Sequence, residues 1–380
     1  MFLKYLRTIA FVLAGCSLMA CSDDDDNDDY APNPNPGTEE GLTFSVSKQV
    51  IQADGKDKSD FIIKFNGRDV TEGVTVYDGE DNLLGTNVTS FSTTEPGEYK
   101  FWATYRSEHT EMVTVKAIGI PVPELPADPS PERTDFTKRV LLTHFTGTAC
   151  QYCPYMTTAV SGALKDPAYA DKAIWAVAHT FNHSDPGYLT DDRLAQAFGI
   201  SSYPTINIDF ISSFNYYRGF NEAAVRSIID QAYEFPANAG VSAKAELIDD
   251  KDGKKIALHV AVKAAEDGEY SVGAWLMEDG IFGPQQTDGH IEGNFNTHNN
   301  VLRVVDSKAG FNDYAGIRLG KIAKGKTAEH VFIMNLKDKW VLENCHMAIF
   351  VSQHKNKYIS VTNVVPCPVE GTINFDYLKK

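Results

Sequence analysis

Two cysteines, Cys150 and Cys153, stand between an apolar run and a segment with helical spacing. Val140 to Phe145 is predominantly apolar, which predicts a buried strand, and Met156 to Leu164 repeats its apolar residues at helical intervals. A thiol at the start of a helix is stabilised as a thiolate by unpaired backbone N–H groups and by the helix dipole. The spacing therefore predicts a redox pair in which Cys150 attacks a substrate disulfide and Cys153 resolves the mixed disulfide.

The elements predicted around this pair have the order strand, helix, strand, helix, strand, strand, helix. They are 140–145, 156–164, 173–178, 190–198, a strand that follows Ser201, a short strand near Tyr216, and 221–233. This order resembles a thioredoxin-like fold over residues 134–236. Tyr203-Pro204-Thr205 resembles the cis-proline turn of that family, which lies opposite the active site. The resemblance implies that Pro204 shapes a peptide groove.

Two positions depart from the thioredoxin pattern. Ala149 stands where thioredoxins usually have tryptophan, and His144 occupies the position of their buried acid. A histidine can transfer protons near neutral pH. A histidine that is simply packed within the strand is the alternative interpretation of His144.

The Cys-x-x-Cys segment has two other interpretations. Together with His179 and His183 it forms a nominal zinc set, although 25 residues separate Cys153 from His179, which is outside the usual spacing. An inert structural disulfide is the other interpretation, since exported proteins fold in oxidising surroundings. We expect no cofactor and no bound metal.

The N-terminal residues predict an exported lipoprotein. Lys4 and Arg7 precede an apolar run that ends in Leu18-Met19-Ala20 before Cys21, which resembles a bacterial lipoprotein signal over residues 1–20. We expect Cys21 to carry the lipid, with Cys16 as the alternative. Ser22 followed by four aspartates resembles the surface-export signal of Bacteroidota lipoproteins. An outer-membrane lipoprotein exposed on the cell surface is therefore expected, and the periplasmic face is the alternative.

Residues 21–41 are predicted to be a disordered tether. Residues 22–40 contain eight acidic residues and no basic one, and they include three prolines. Such a segment cannot bury enough apolar surface to offset its ordering entropy. The whole chain carries 51 acidic against 35 basic residues, which argues against nucleic acid as a partner.

Two further segments alternate polar and apolar residues between turn signals, as β-sandwiches do. Residues 42–118 resemble an immunoglobulin-like β-sandwich that serves as a spacer, with His109 in a hairpin turn. Residues 119–133 contain five prolines and predict a semi-rigid linker. Residues 237–380 predict a C-terminal β-sandwich. Its polar loop 283–300 contains Asp288, His290 and His298, which we expect to be solvated.

The last two cysteines predict a second disulfide. Cys345 and Cys367 flank two apolar, alternating runs that are joined by a polar turn around Asn356. A hairpin centred on Asn356 places Cys345 opposite Cys367. We therefore expect a disulfide that closes the open end of this hairpin.

The combination of a lipoprotein signal, an immunoglobulin-like module, the segment TGTACQYCP and a β-rich C-terminal region resembles the Omp28-type outer-membrane lipoproteins of Bacteroidota. Two functions are compatible with this resemblance. One is thiol–disulfide exchange on the thiols or disulfides of exported proteins and peptides, by a chain anchored in outer-membrane lipid through Cys21. The other is binding of a surface ligand, or adhesion, with the thioredoxin-like domain as a scaffold.

Overall fold

The computed structural model describes residues 41–190, 193–215, 219–308, 314–355 and 358–379. The predicted signal peptide, the predicted lipidation site Cys21 and the tether up to residue 40 lie outside the described residues. So do Asp191 and Asp192 near the start of the second predicted helix, and Tyr216 of the predicted short strand.

The N-terminal segment forms two packed β-sheets. Its strands are β1 (Leu42–Val46), β2 (Val50–Gln52), β3 (Ser59–Phe65), β4 (Arg68–Asp69), β5 (Val74–Asp78), β6 (Leu83–Thr86), β7 (Ser90–Phe91), β8 (Gly97–Tyr105), β9 (Glu108–His109) and β10 (Val113–Ile118). One sheet has the order β1-β3-β4 with β7 beside β3, and the other has the order β2-β10-β8-β5-β6 with β9 beside β8. Ile51, Val76 and Phe101 fill the space between the sheets, so the predicted β-sandwich is present. His109 lies in β9, after the turn in which it was expected.

The central segment combines strands and helices. Its elements are β11 (Val140–Thr146), α1 (Cys153–Lys165), α2 (Pro167–Ala170), β12 (Ala173–His179), α3 (Arg193–Ala197), β13 (Thr205–Ile208), β14 (Ser212–Phe214) and α4 (Glu222–Tyr233). β11 is wholly buried; it runs parallel to β12 and antiparallel to β13. Met156 of α1 and Ile229 of α4 pack on one face of this sheet, and Leu194 of α3 packs on the other. Asn221 caps α4 as predicted, since its side chain accepts from the backbone N–H of Ala224.

The C-terminal segment is a second sandwich. Its elements are β15 (Ala239–Asp250), β16 (Gly253–Ala264), β17 (Gly268–Glu278), β18 (Ile281–Phe282), β19 (Thr297–His298), β20 (Val301–Asp306), β21 (Ile317–Ile322), β22 (Thr327–Asn335), the 3₁₀ turn Leu342–Asn344, β23 (Cys345–Lys355), β24 (Tyr358–Pro368) and β25 (Gly371–Ile373). The sheet β22-β16-β15-β25 packs against β17, β23 and β24. Leu258, Phe332 and Ile349 lie in the core between them.

The central and C-terminal segments share one sheet. Its strand order is β14-β13-β11-β12-β20-β17-β23-β24, with β21 beside β17, and β12 meets β20 where Val177 pairs in parallel with Val301. The sheet therefore continues across the boundary predicted near residue 236. The buried ammonium of Lys138 adds a second link, since it donates to Asp209 at 3.0 Å and to the carbonyl oxygen of Thr362 at 3.0 Å.

The proline-rich segment 119–133 packs against the C-terminal sheet. His259 Nδ1 donates to the carbonyl oxygen of Pro123 at 2.8 Å, and Lys263 Nζ forms an ion pair with Asp128 at 2.9 Å. These contacts fix the linker along β16, where composition alone predicted a semi-rigid linker between domains.

The predicted disulfide between Cys345 and Cys367 is absent. Both cysteines are free and buried, and Cys367 pairs with Met347 in the hairpin register. Lys355 pairs with Tyr358, which moves the pairing one residue away from a hairpin centred on Asn356, and the register shifts by one more residue between Val351 and Ser352. Cys345 therefore lies two residues beyond the position opposite Cys367. The prediction was wrong because it assumed symmetric pairing about Asn356 without a bulge, and a change of centre or a bulge displaces every pair beyond it.

Candidate functional site

Cys150 and Cys153 are joined by a disulfide in the turn between β11 and α1. Their sulfur atoms are 2.12 Å apart and their Cα atoms 5.5 Å apart. The turn is closed by two backbone hydrogen bonds, from Cys150 to the carbonyl of Gly147 at 3.0 Å and from Cys153 to the carbonyl of Cys150 at 3.3 Å. Cys150 is 5% exposed and Cys153 is 1% exposed. The pair is therefore formed as the sequence predicts, but protein atoms cover it.

The N-terminus of α1 lies at this disulfide without an acidic residue to neutralise its dipole. Tyr152 precedes the helix and provides no side-chain cap, and the first turn of the helix contains no carboxylate. Pro154 follows Cys153 and has no backbone N–H. The positive end of the helix dipole therefore favours a thiolate in the reduced form of the pair.

The carboxylate of Asp185 anchors the turn from the segment that follows β12. It accepts from the backbone N–H of Thr148 at 2.6 Å, from that of Gly187 at 2.7 Å, and from His179 Nδ1 at 2.8 Å. Burial raises the pKa of Asp185, but the hydrogen bonds from His179, Thr148 and Gly187 outweigh it and lower the pKa to about 2. Asn182 adds a weaker contact to the backbone N–H of Ala149, at 3.3 Å. The turn that carries Cys150 is thus held by a fixed negative charge.

Residues 283–299, which we name the covering loop, lie against the other side of the turn. The side-chain amide nitrogen of Gln285 is 3.3 Å from the carbonyl oxygen of Gly147, 3.1 Å from that of Thr148 and 3.0 Å from that of Cys150. The backbone N–H of Gln286 donates to the carbonyl of Thr148 at 2.8 Å. The predicted solvated loop is therefore docked on the Cys-x-x-Cys turn.

The covering loop is braced within itself and against α1. Tyr155 of α1 donates its hydroxyl to Asp288 at 3.1 Å. His298 Nε2 donates to the carbonyl of Gly283 at 2.9 Å, and the side chain of Asn296 accepts from the backbone N–H of Gln285 at 2.9 Å. Asp288 and His298 thus serve as hydrogen-bonding partners within the protein.

Pro204 lies at the predicted position, and the Tyr203–Pro204 peptide bond is cis, as predicted. Pro204 is buried and directly precedes Thr205, which pairs with Phe145 near the end of β11. The hydroxyl of Tyr203 lies 3.0 Å from that of Thr180, just after β12. The proline turn therefore lies at the edge of the sheet from which the Cys-x-x-Cys turn leaves.

The histidines near the pair make contacts within the protein, and His144 is the packed strand histidine of the alternative interpretation. His144 is fully buried against Trp175, and burial lowers its pKa to about 3, so it is neutral near pH 7 and does not fit the proton-transfer role. His179 bonds to Asp185, and His183 packs on the ring of Tyr188 at 4.5 Å between centroids. In the nominal zinc set, the two cysteines are therefore bonded to each other, and the two histidines contact different residues.

Sequence reasoning missed Gln285 and Asp185. Asp185 lies in the segment Asn182-His183-Ser184-Asp185, whose composition signals only a turn. Gln285 lies 135 residues from Cys150, and nothing in its local sequence predicts this contact.

Residues 191–371 match the family model described as "Outer membrane protein Omp28". Over that range, which is slightly less than half of the chain, the sequence is similar to the Omp28 family. The match includes Pro204, the covering loop and most of the C-terminal sandwich, and it begins after Cys150 and Cys153.

A solved structure, "HBP35 of Porphyromonas gingivalis", resembles this chain with a TM-score of 0.50 and 18% sequence identity. The similarity covers 62% of this chain and 77% of that one, and at this identity it shows a likeness of fold alone. No curated protein matches the sequence. Within the described residues, no helix is long and apolar enough to cross a membrane.

Proposed function

We propose that this protein performs thiol–disulfide exchange on exported proteins, with Cys150 as the reactive cysteine and Cys153 as its partner. The observation that carries the proposal is the oxidised Cys150–Cys153 pair at the uncapped N-terminus of α1, in a strand–turn–helix setting. The order β11-α1-β12-α3-β13-β14-α4, with helices on both faces of the sheet, supports a thioredoxin-like central domain.

The exchange balances without an external cofactor. A substrate thiolate attacks Cys150 Sγ, the Cys150–Cys153 bond breaks, and Cys153 leaves as a thiolate that takes up a proton. A second substrate thiolate then attacks the substrate sulfur of the mixed disulfide and releases Cys150. Two electrons and two protons pass from the substrate dithiol to the pair. The reverse sequence begins with Cys150 attacking a substrate disulfide, and it ends when Cys153 resolves the mixed disulfide.

The same proposal places the chain at the outer membrane. The family is described as an outer membrane protein, and the signal-like residues before Cys21 support a lipid anchor at that cysteine. The acidic segment after Cys21 supports exposure on the cell surface, and the periplasmic face is the alternative.

A second candidate function is binding or adhesion at the cell surface, with an inert disulfide in the scaffold. The observation that favours it is the 5% exposure of Cys150 under the bonds from Gln285. On this alternative, the disulfide only secures the turn on which the covering loop rests.

The test is a redox titration of the full-length protein with reduced and oxidised glutathione, combined with insulin reduction in the presence of dithiothreitol. Exchange predicts insulin reduction that Cys150→Ser abolishes and that the matched control Cys345→Ala leaves intact. Two results together would favour the inert scaffold. They are a reduction potential of the Cys150–Cys153 disulfide below about −300 mV, which is typical of structural disulfides, and insulin reduction by Cys150→Ser equal to that of the wild type.

A further inference from the structure

A cavity of about 570 Å³ lies between α1, β12 and the covering loop. Trp175, Val177 and His179 line it from β12, since alternate residues of a strand face the same side. Six buried side-chain nitrogen or oxygen atoms have no hydrogen-bond partner among the described residues, and four of them belong to His144, Trp175 and His179 on this side of the sheet. Such a concentration of unpaired polar atoms points to a missing polar partner, because buried polar groups are nearly always hydrogen-bonded.

The two unpaired groups that line the cavity have opposite hydrogen-bonding character. Asp185 has a low pKa and is ionised at neutral pH, so it accepts from His179 Nδ1, and in the neutral ring His179 Nε2 is left as an acceptor. The indole Nε1–H of Trp175 can only donate. A ligand that satisfies both must therefore donate a hydrogen bond near one end of the cavity and accept one near the other.

The shape of the cavity suits a narrow, extended ligand. Trp175 and His179 are four residues apart on one strand, which corresponds to roughly 13 Å. Pro154 and Lys165 line the cavity from the two ends of α1, which are roughly 16 Å apart at the helical rise. A volume of about 570 Å³ along these elements is enough for a short extended chain with small side chains.

The charges on the lining do not select an ionic ligand. Lys165 and Glu222 both line the cavity and have opposite charges. The carboxylate of Glu222 also pairs with Arg226 at 3.3 Å. The other polar groups are the imidazoles of His179 and His298, the indole of Trp175, and hydroxyls and amides such as those of Thr157 and Asn294, all of which can bond to neutral donors and acceptors.

We infer that this cavity binds an extended segment of about four residues of a polypeptide with small side chains. A peptide backbone supplies a donor and an acceptor at every residue, which matches His179 at one end and Trp175 at the other. The inference rests on the proposed function, which makes exported polypeptides the ligands. It adds a binding site on the α1 side of the sheet, since Pro204 does not line this cavity.

The test measures the affinity of the full-length protein for unfolded, S-carbamidomethylated lactalbumin, which has no free thiol or disulfide. Ser161→Phe places a ring in the cavity from the middle of α1, and Trp175→Phe removes the indole N–H and leaves a smaller aromatic ring. The control Ser227→Phe adds the same ring at an exposed position of α4. Circular dichroism and thermal unfolding establish that each variant is folded.

We expect saturable binding that is weakened at least about tenfold by Ser161→Phe and about fivefold by Trp175→Phe, the latter reflecting one lost hydrogen bond. Ser227→Phe should bind as the wild type does. Affinity unchanged in Ser161→Phe, absence of binding by the wild type, or displacement of the polypeptide by maltohexaose would overturn the inference.

A parallel assay of exchange with oxidised glutathione separates this inference from the proposed function. If the wild type exchanges glutathione and Ser161→Phe still binds the polypeptide normally, the inference alone fails. If the wild type does not exchange glutathione at all, the proposed function fails. Normal exchange by Ser161→Phe together with loss of polypeptide binding supports both.

Discussion

The side-chain amide of Gln285 lies 3.0 Å from the carbonyl oxygen of Cys150, and this contact joins the C-terminal segment to the disulfide turn of the central segment. The same amide reaches the carbonyl oxygens of Gly147 and Thr148, so one side chain is shared by three acceptors of the turn. With Cys150 only 5% exposed, exchange with a protein substrate requires the covering loop to move away from the turn.

Gln285→Ala should therefore accelerate reduction of the Cys150–Cys153 disulfide by dithiothreitol. Loss of the amide removes the hydrogen bonds to the three carbonyls, which together stabilise the docked covering loop by about 1 kcal/mol. The form in which the loop has moved away from the turn therefore becomes about fivefold more populated. Quenched alkylation and mass spectrometry give the rate. Gln286→Ala is the matched control, because the contact of Gln286 with Thr148 uses its backbone N–H. Equal rates in the wild type and Gln285→Ala would show that the loop does not limit access.

Asp185→Asn should destabilise the fold in a pH-dependent way. The pKa of Asp185 is lowered to about 2 from 3.8, so its ionised form stabilises the folded state above about pH 4, and this contribution is lost as the pH falls toward 2. The shift corresponds to about 2 kcal/mol at pH 7. Urea unfolding at pH 7 and at pH 2.5 should show a difference between wild type and variant that narrows at the lower pH. A difference independent of pH would contradict this assignment, and Asp171→Asn at an exposed position is the control.

Lys138→Met should cost about 3–5 kcal/mol, because it leaves the carboxylate of Asp209 buried without its cation. Burial raises the pKa of Asp209 and Lys138 lowers it, so the unpaired carboxylate would take up a proton more readily in the variant. Chemical unfolding at pH 7 measures the loss. The control is Lys48→Met, which breaks an exposed ion pair with Asp57 and should cost less than about 1 kcal/mol. Equal losses in both variants would show that the buried pair contributes no more to stability than an exposed pair does.

Local pattern predicted much of the fold, whereas contacts between distant segments required the structure. The apolar run of β11, the helical spacing of α1 and the cap at Asn221 express local preferences, and the sequence predicts their bounds to within three residues. The pairing of Val177 with Val301 and the contact of Gln285 with Cys150 depend on how segments more than a hundred residues apart pack together. Neither leaves a periodic signal in the sequence.

Cys345 and Cys367 should be recovered as free thiols in the exported protein. Burial raises the pKa of Cys345 to about 11 and that of Cys367 to about 12, so neither should react with iodoacetamide at pH 8 in the folded state, because the thiolate is the reactive form. After denaturation without reductant, peptide mapping should find both peptides alkylated, while the peptide containing Cys150 and Cys153 remains unmodified until reduced. Recovery of Cys345 linked to Cys367 would show instead that the hairpin pairs in a different register from the one that places Cys367 opposite Met347. Cys345→Ala and Cys367→Ala, each mapped alone, identify which thiol gives each alkylated peptide.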